Sequence, residues 1–115
     1  MGPMELRGKV WIELGGRHLF GKGRAALLEA VETEGSIQAA ARKLGMSYRK
    51  AWSMLRAGQT LTGARLVETT RGGAKGGGAR VTEFGRELLR TYRSVEARFD
   101  DLLKEARDEV RRPGK

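Results

Sequence analysis

The sequence predicts an α+β fold: a β-hairpin, three helices, a second hairpin and one long terminal helix. Three observations carry that expectation. Val10, Ile12 and Leu14 alternate with Trp11 and Glu13 ahead of Gly15-Gly16, the period-2 pattern of a strand running into a tight turn. Two helix-forming segments meet across Gly45, Met46 and Ser47, the short glycine-containing connection of a helix-turn-helix. Leu88, Tyr92, Val95, Phe99, Leu102 and Ala106 recur at a 4-3-4-3-4 spacing, which is that of a coiled-coil seam.

After the turn, Arg17 to Phe20 return as the partner strand. Gly21-Lys22-Gly23 punctuates the chain, and Leu27, Leu28 and Val31 form the apolar stripe of a first helix over about 24–34, stopped by Gly35. Ser36 is a good N-cap for a second helix reaching Leu44, in which Ala39, Ala40 and Ala41 are small enough to let another helix approach. Gly45 ends that helix and Ser47 caps a third over about 48–58. Ala51, Trp52 and Leu55 of this third helix are expected to pack inward against Ala40 and Leu44. Leu66 to Thr70 and Ala79 to Val81 are strands on either side of Arg71 to Gly78, a loop with five glycines. Thr82 caps the last helix, from Glu83 to about Val110. Such a helix is roughly 40 Å long, more than so small a domain can cover. Its single apolar stripe therefore predicts a homodimer paired through Leu88, Tyr92, Val95, Phe99, Leu102 and Ala106. Residues 1–82 are expected to form a winged helix-turn-helix domain, with the helix-turn-helix at about 36–58 and the wing at about 66–82; 83–112 form its long dimerisation helix.

Charge is distributed unevenly along this framework. Residues 1–34 carry five basic and five acidic side chains, and residues 83–115 carry nine and eight. Residues 35–82 carry nine basic side chains against Glu68 alone, a local excess of +8 out of the chain's +9. A surface shaped for solubility mixes both signs, whereas a single-sign block attracts a polyanion.

Other function classes find no support in the residues. The chain has no cysteine, which removes disulfides, thiolate chemistry and cysteine-based zinc sites. His18 is the only histidine and has no nucleophile beside it; no metal-ligand spacing occurs. Gly72-Gly73-Ala74-Lys75-Gly76-Gly77-Gly78 lacks the GK[ST] ending and following helix of a phosphate-binding loop. No enzymatic activity, cofactor or metal is expected. No apolar run approaches a membrane span and the N-terminus lacks a signal peptide's apolar core, so the expected location is the cytoplasm.

If the third helix enters a major groove, its N-terminal residues face base edges and phosphates. Ser47 and Tyr48 can donate to phosphate oxygens, Arg49 and Lys50 can reach guanine edges or the backbone, and Ser53 lies one turn beyond. Arg71, Lys75 and Arg80 bracket the glycine-rich tip, where bare backbone and cations suit phosphates along a minor groove. Ser36 can offer a phosphate its hydroxyl and the N–H groups of its helix.

Gly35-Ser36-Ile37-Gln38-Ala39-Ala40-Ala41, Leu44-Gly45-Met46-Ser47-Tyr48-Arg49-Lys50-Ala51-Trp52, Leu66-Val67-Glu68, the glycines at 72–73 and 76–78, and Thr82-Glu83-Phe84-Gly85 together resemble the DNA-binding domain of ModE-type molybdate-responsive transcription regulators. That domain is a winged helix related to the LysR-type one. The resemblance extends over roughly residues 8–105. It implies a homodimer held by the terminal helix and major-groove reading by the helix that starts at Ser47. Regulators of this type continue into modules that bind molybdate or tungstate. No segment here resembles such a module, so no small-molecule effector site is identified in this chain and molybdate sensing is not carried over to it; the chain is expected to be either a single-domain member or part of a longer regulator. The resulting expectation is a sequence-specific double-stranded-DNA-binding transcription regulator acting as a homodimer on an inverted repeat. The alternative is a sequence-tolerant nucleic-acid-binding protein, nucleoid- or RNA-associated; the seven aromatics form no obvious stacking platform for it.

Overall fold

The computed structural model describes residues 5–71 and 77–109. Strands β1 (Ile12–Leu14) and β2 (Arg17–Phe20) form an antiparallel hairpin, and α1 (Lys22–Glu34), α2 (Ile37–Lys43) and α3 (Tyr48–Thr62) follow. A second antiparallel hairpin pairs β3 (Val67–Thr70) with β4 (Gly78–Val81), and α4 (Glu83–Glu109) ends the described chain. The architecture is an α+β winged helix-turn-helix with an N-terminal hairpin and a long terminal helix, as the sequence predicts.

Local chemistry explains most boundaries. Gly15 and Gly16 have φ of 60° and 78°, the mirror-image turn whose twist matches paired strands. Ser36 and Ser47 accept the Ala39 and Lys50 backbone N–H groups, each at 3.0 Å, and so cap α2 and α3. Gly45 carries the left-handed φ of 69° in the turn between them. Thr82 accepts the Gly85 N–H at 3.0 Å and starts α4. The third helix runs four residues beyond the expected Gly58, stopping at Gly63 with φ of 78°. Gly58 serves packing instead: a Cβ there would stand 2.6 Å from Leu66 Cδ1.

The core joins β2, the three helices and the base of the wing through Phe20, Leu27, Leu28, Val31, Leu55 and Leu66, all buried. Ala40, Ala41 and Ala51 are buried where α2 meets α3. The wing is tied in by the Ala79 N–H, which donates to Gly35 O at 2.8 Å, and by the Thr82 hydroxyl, which donates to Arg65 O at 2.7 Å.

The terminal helix differs from the expected seam along one edge. Tyr92, spaced as a seam residue, is only 1% exposed and meets Phe20 edge-on at 5.6 Å between ring centroids. Leu88 packs on the same core, and Phe99 lies under Gly8 of the N-terminal segment, where a Cβ would be 2.6 Å from Phe99 Cζ. Val95 and Leu102 remain open, 42% and 57% exposed, and Ala106 is half-buried. At ~100° per residue Val95, Leu102 and Ala106 define one edge of the stripe while Tyr92 and Phe99 lean toward the domain. The stripe is therefore divided lengthwise between the domain's own core and an exposed surface.

Candidate nucleic-acid interface

Turn chemistry and capping aim α3 outward. Ala51, Leu55 and Gly58 are buried against the domain, so by helical periodicity Arg49, Ser53, Arg56 and Thr60 form the opposite face, and all four are exposed. Lys50 lies at one margin of that face and Tyr48 at the other, both exposed. Of the residues proposed from sequence, the structure thus brings Tyr48, Arg49, Lys50 and Ser53 together on one helix, with Ser47 at its cap.

Trp52 departs from its expected place in the core. Its indole is 39% exposed, stacked edge-to-face on the 51%-exposed Tyr48 at 6.4 Å. The reason is angular. Trp52 is only about 60° from Leu55 around the helix, and it covers Ile37, Leu55 and Leu66 from outside, lining a small pocket with them. The ring lies instead on the wing-side shoulder of α3.

Between that shoulder and the wing runs an open groove of about 770 Å³, lined on the helix side by Tyr48 and Trp52 and on the wing side by Thr69, Thr70, Arg71 and Gly77. Its floor is the start of α2, Ser36 and Gln38. Ser36 Oγ is engaged as an acceptor by its own helix, which leaves its hydroxyl hydrogen to donate. Thr70 Oγ1 accepts the Gly78 N–H at 3.2 Å and shapes the wing base. Lys75, predicted for the wing tip, lies outside the described residues.

The +8 block is left largely uncompensated by folding. Glu68 approaches Arg80 at 3.5 Å across β3 and β4, and Glu34 approaches Lys43 at 3.5 Å. Among the described residues Arg49, Lys50, Arg56, Arg65 and Arg71 make no ion pair, and all five are exposed. Exposed cations without internal partners, gathered on one helix face and the adjacent hairpin, present charge-assisted donors to an external anion. Arg80 sits on the same hairpin but shares its charge with Glu68.

Several residues on this surface were not singled out from sequence. Arg56 and Arg65 flank a second cleft with Trp52, Gln59 and Thr60, and Gln38 lines the first groove. The seven-residue interval from Arg49 to Arg56, two helical turns, is the signal that would have found Arg56.

The profile of the "Bacterial regulatory helix-turn-helix protein, lysR family" matches residues 24–86, from α1 into the first turn of α4. The "Molybdenum-pterin-binding protein MopB" of Rhodobacter capsulatus is 42% identical over 97 residues, which is 84% of this chain and 35% of that protein. The "Molybdenum transport protein ModE" of Azotobacter vinelandii is 39% identical over 80 residues, 70% of this chain and 30% of that protein. The "DNA-binding transcriptional dual regulator ModE" of Escherichia coli (strain K12) is 38% identical over 69 residues, 60% of this chain and 26% of that protein. The chain thus spans about a third or less of the length of these curated relatives. The matched family is one of regulatory proteins rather than enzymes.

Proposed function

The chain belongs to the lysR family of bacterial regulatory helix-turn-helix proteins, and from that premise we propose that it is a sequence-specific binder of double-stranded DNA that regulates transcription as a homodimer on an inverted repeat. The observation that carries the proposal is the outward face of α3, where Arg49, Ser53 and Arg56 stand exposed and free of internal ion pairs among the described residues. In this reading α3 lies in the major groove, with Arg49 reading a base edge and Arg56 alongside it. Ser36, Ser47, Tyr48, Lys50 and Arg71 hold the sugar-phosphate backbone in and around the groove between α3 and the wing. Arg80 adds charge on the wing, and Lys75 is proposed beside it from the sequence alone.

The dimer follows from the same economy of size. One short recognition helix offers few base contacts, so tight and specific binding needs two in fixed geometry. The free edge of α4, Val95, Leu102 and Ala106, supports pairing with a second copy, with Leu88 and Phe99 beside it. A two-fold axis dictates an inverted repeat, with half-sites about one helical turn, roughly 34 Å, or a multiple apart. No helix among the described residues is long and apolar enough to cross a membrane, and the proposed location is the cytoplasm, where the DNA is.

Selection of bound sequences from a random duplex pool tests the proposal. The expected result is an enriched inverted repeat. Enrichment of a single half-site would refute the dimer. Absence of any enrichment, with binding retained, would favour the sequence-tolerant alternative.

A further inference from the structure

We infer that the N-terminal hairpin is a second DNA-contacting arm, in which Arg17 holds a backbone phosphate on the shoulder of α3 opposite the β3–β4 wing. The inference rests on the DNA-binding reading and extends it to an element that reading does not use.

The two shoulders of α3 are differently furnished. Tyr48 and Trp52 face the wing, whereas Ala57 and Leu61 lie roughly opposite, beyond Ser53. On that second side an open cleft of about 500 Å³ separates the helix from the hairpin, and Arg17 and His18 line it together with Ser53, Arg56 and Thr60. Three of these belong to the proposed reading face or its continuation, so the cleft is contiguous with it.

The hairpin is firmly placed. The Arg24 guanidinium donates to Leu19 O at 2.9 Å and to Met54 O at 2.8 Å, bonding the end of β2 to the middle of α3 across a part-buried contact. Burial lowers the Arg24 pKa from its ordinary value, as expected for a cation desolvated between two carbonyls. The Gly15-Gly16 turn sets Arg17 at the first position of β2. The His18 ring rests on Gly21, where a Cβ would stand 3.2 Å from Cε1.

The charge at this site is also available. Glu13, the carboxylate of the hairpin, accepts the Trp11 indole N–H at 2.8 Å, and among the described residues Arg17 makes no ion pair. An exposed guanidinium on a rigid turn is suited to bidentate phosphate recognition. Two phosphate strands border a major groove. A helix with cations on both shoulders therefore engages both, and Arg17 supplies the contact that the wing cannot reach.

Salt titration of the full chain tests this. Binding to a ~30 bp random-sequence duplex, about three helical turns, is followed by fluorescence anisotropy from about 50 to 200 mM salt, where each phosphate contact contributes ~0.9 to the slope of log affinity against log salt. Arg17→Ala is expected to flatten the slope by about one unit per protomer, Arg17→Lys by less, and Lys9→Ala, a cation beside α4 rather than the cleft, not at all. Thermal melts of the variants are expected to match the unsubstituted chain, since Arg17 is exposed. An unchanged slope for Arg17→Ala, with duplex binding otherwise intact, overturns the arm and leaves the DNA-binding reading standing. An equal loss for Lys9→Ala reduces the effect to net charge and overturns it as well. An unsubstituted chain that binds no duplex removes both.

Discussion

Tyr92 of α4 meets Phe20 of β2 edge-on, ring centroids 5.6 Å apart and planes inclined by 74°. This contact links the first hairpin to the last helix and decides which part of α4 is buried in the domain's own core. Burial and the neighbouring Glu96 carboxylate both raise the Tyr92 pKa, so the phenol stays neutral at physiological pH. The contact separates two classes of α4 substitution. Tyr92→Ala is expected to destabilise the fold by about 3–5 kcal/mol, seen as a large drop in the urea midpoint. Val95→Asp with Leu102→Asp is expected to leave the far-ultraviolet spectrum intact and shift sedimentation at micromolar concentration from dimer to monomer. A dimer that survives the double aspartate places the interface elsewhere.

Division of labour on α3 gives a second expectation. Arg49→Ala and Arg56→Ala should each weaken an enriched sequence by about 1–3 kcal/mol while affecting random duplex less. Arg71→Ala, at the wing base, should weaken both alike. Titration of each variant against the two duplexes decides the matter, and equal losses for Arg49 would demote it to a backbone contact.

Gly58 presents a conflict between local preference and packing. Alanine is favoured over glycine in a helix by about 1 kcal/mol, yet its Cβ would lie 2.6 Å from Leu66 Cδ1. Leu66 is itself buried between α3 and the wing. Overpacking costs about 1–3 kcal/mol, so Gly58→Ala is expected to lower Tm. A rise in Tm would mean that Leu66 finds another rotamer at no cost.

The Arg93 guanidinium reaches from α4 to Glu29 of α1 and, at 2.8 Å, to Glu96. Its hydrogen bond to Glu29 is the main cause of the lowered carboxyl pKa, with burial opposing. A folded-state pKa below the unfolded value of about 4.3 contributes stability above that pH, and the contribution is lost as pH falls through the folded value. Both groups are more than a third exposed, so the pair is worth at most about 1 kcal/mol. Glu29→Gln is expected to lower unfolding free energy by that order at pH 7, with the gap closing in acid. Urea titrations at neutral and acid pH check it, and a gap that persists in acid would exclude the ionised carboxylate as its source.

Sequence alone determined whatever depends on a few adjacent residues or on a sum over a segment. Ser36, Ser47 and Thr82 cap helices, and Gly15, Gly16, Gly35 and Gly45 occupy left-handed turns, because capping and positive φ are satisfied within three or four residues. The charge excess of residues 35–82 was legible for a similar reason, since a local sum needs no fold. Tertiary structure decided which neighbour covers each face. Periodicity placed Trp52 near Leu55 and Tyr92 in line with Val95, but it could not say that Trp52 would cover the core beside Leu55 from outside, or that Phe20 would claim Tyr92. Nor could it show that Leu66 needs the space at Gly58, inside a helix that continues to Thr62, or that Arg24 would fasten the first hairpin beside Arg56. Each outcome depends on volume and contacts supplied by residues distant in the chain, and those become defined only when the elements pack.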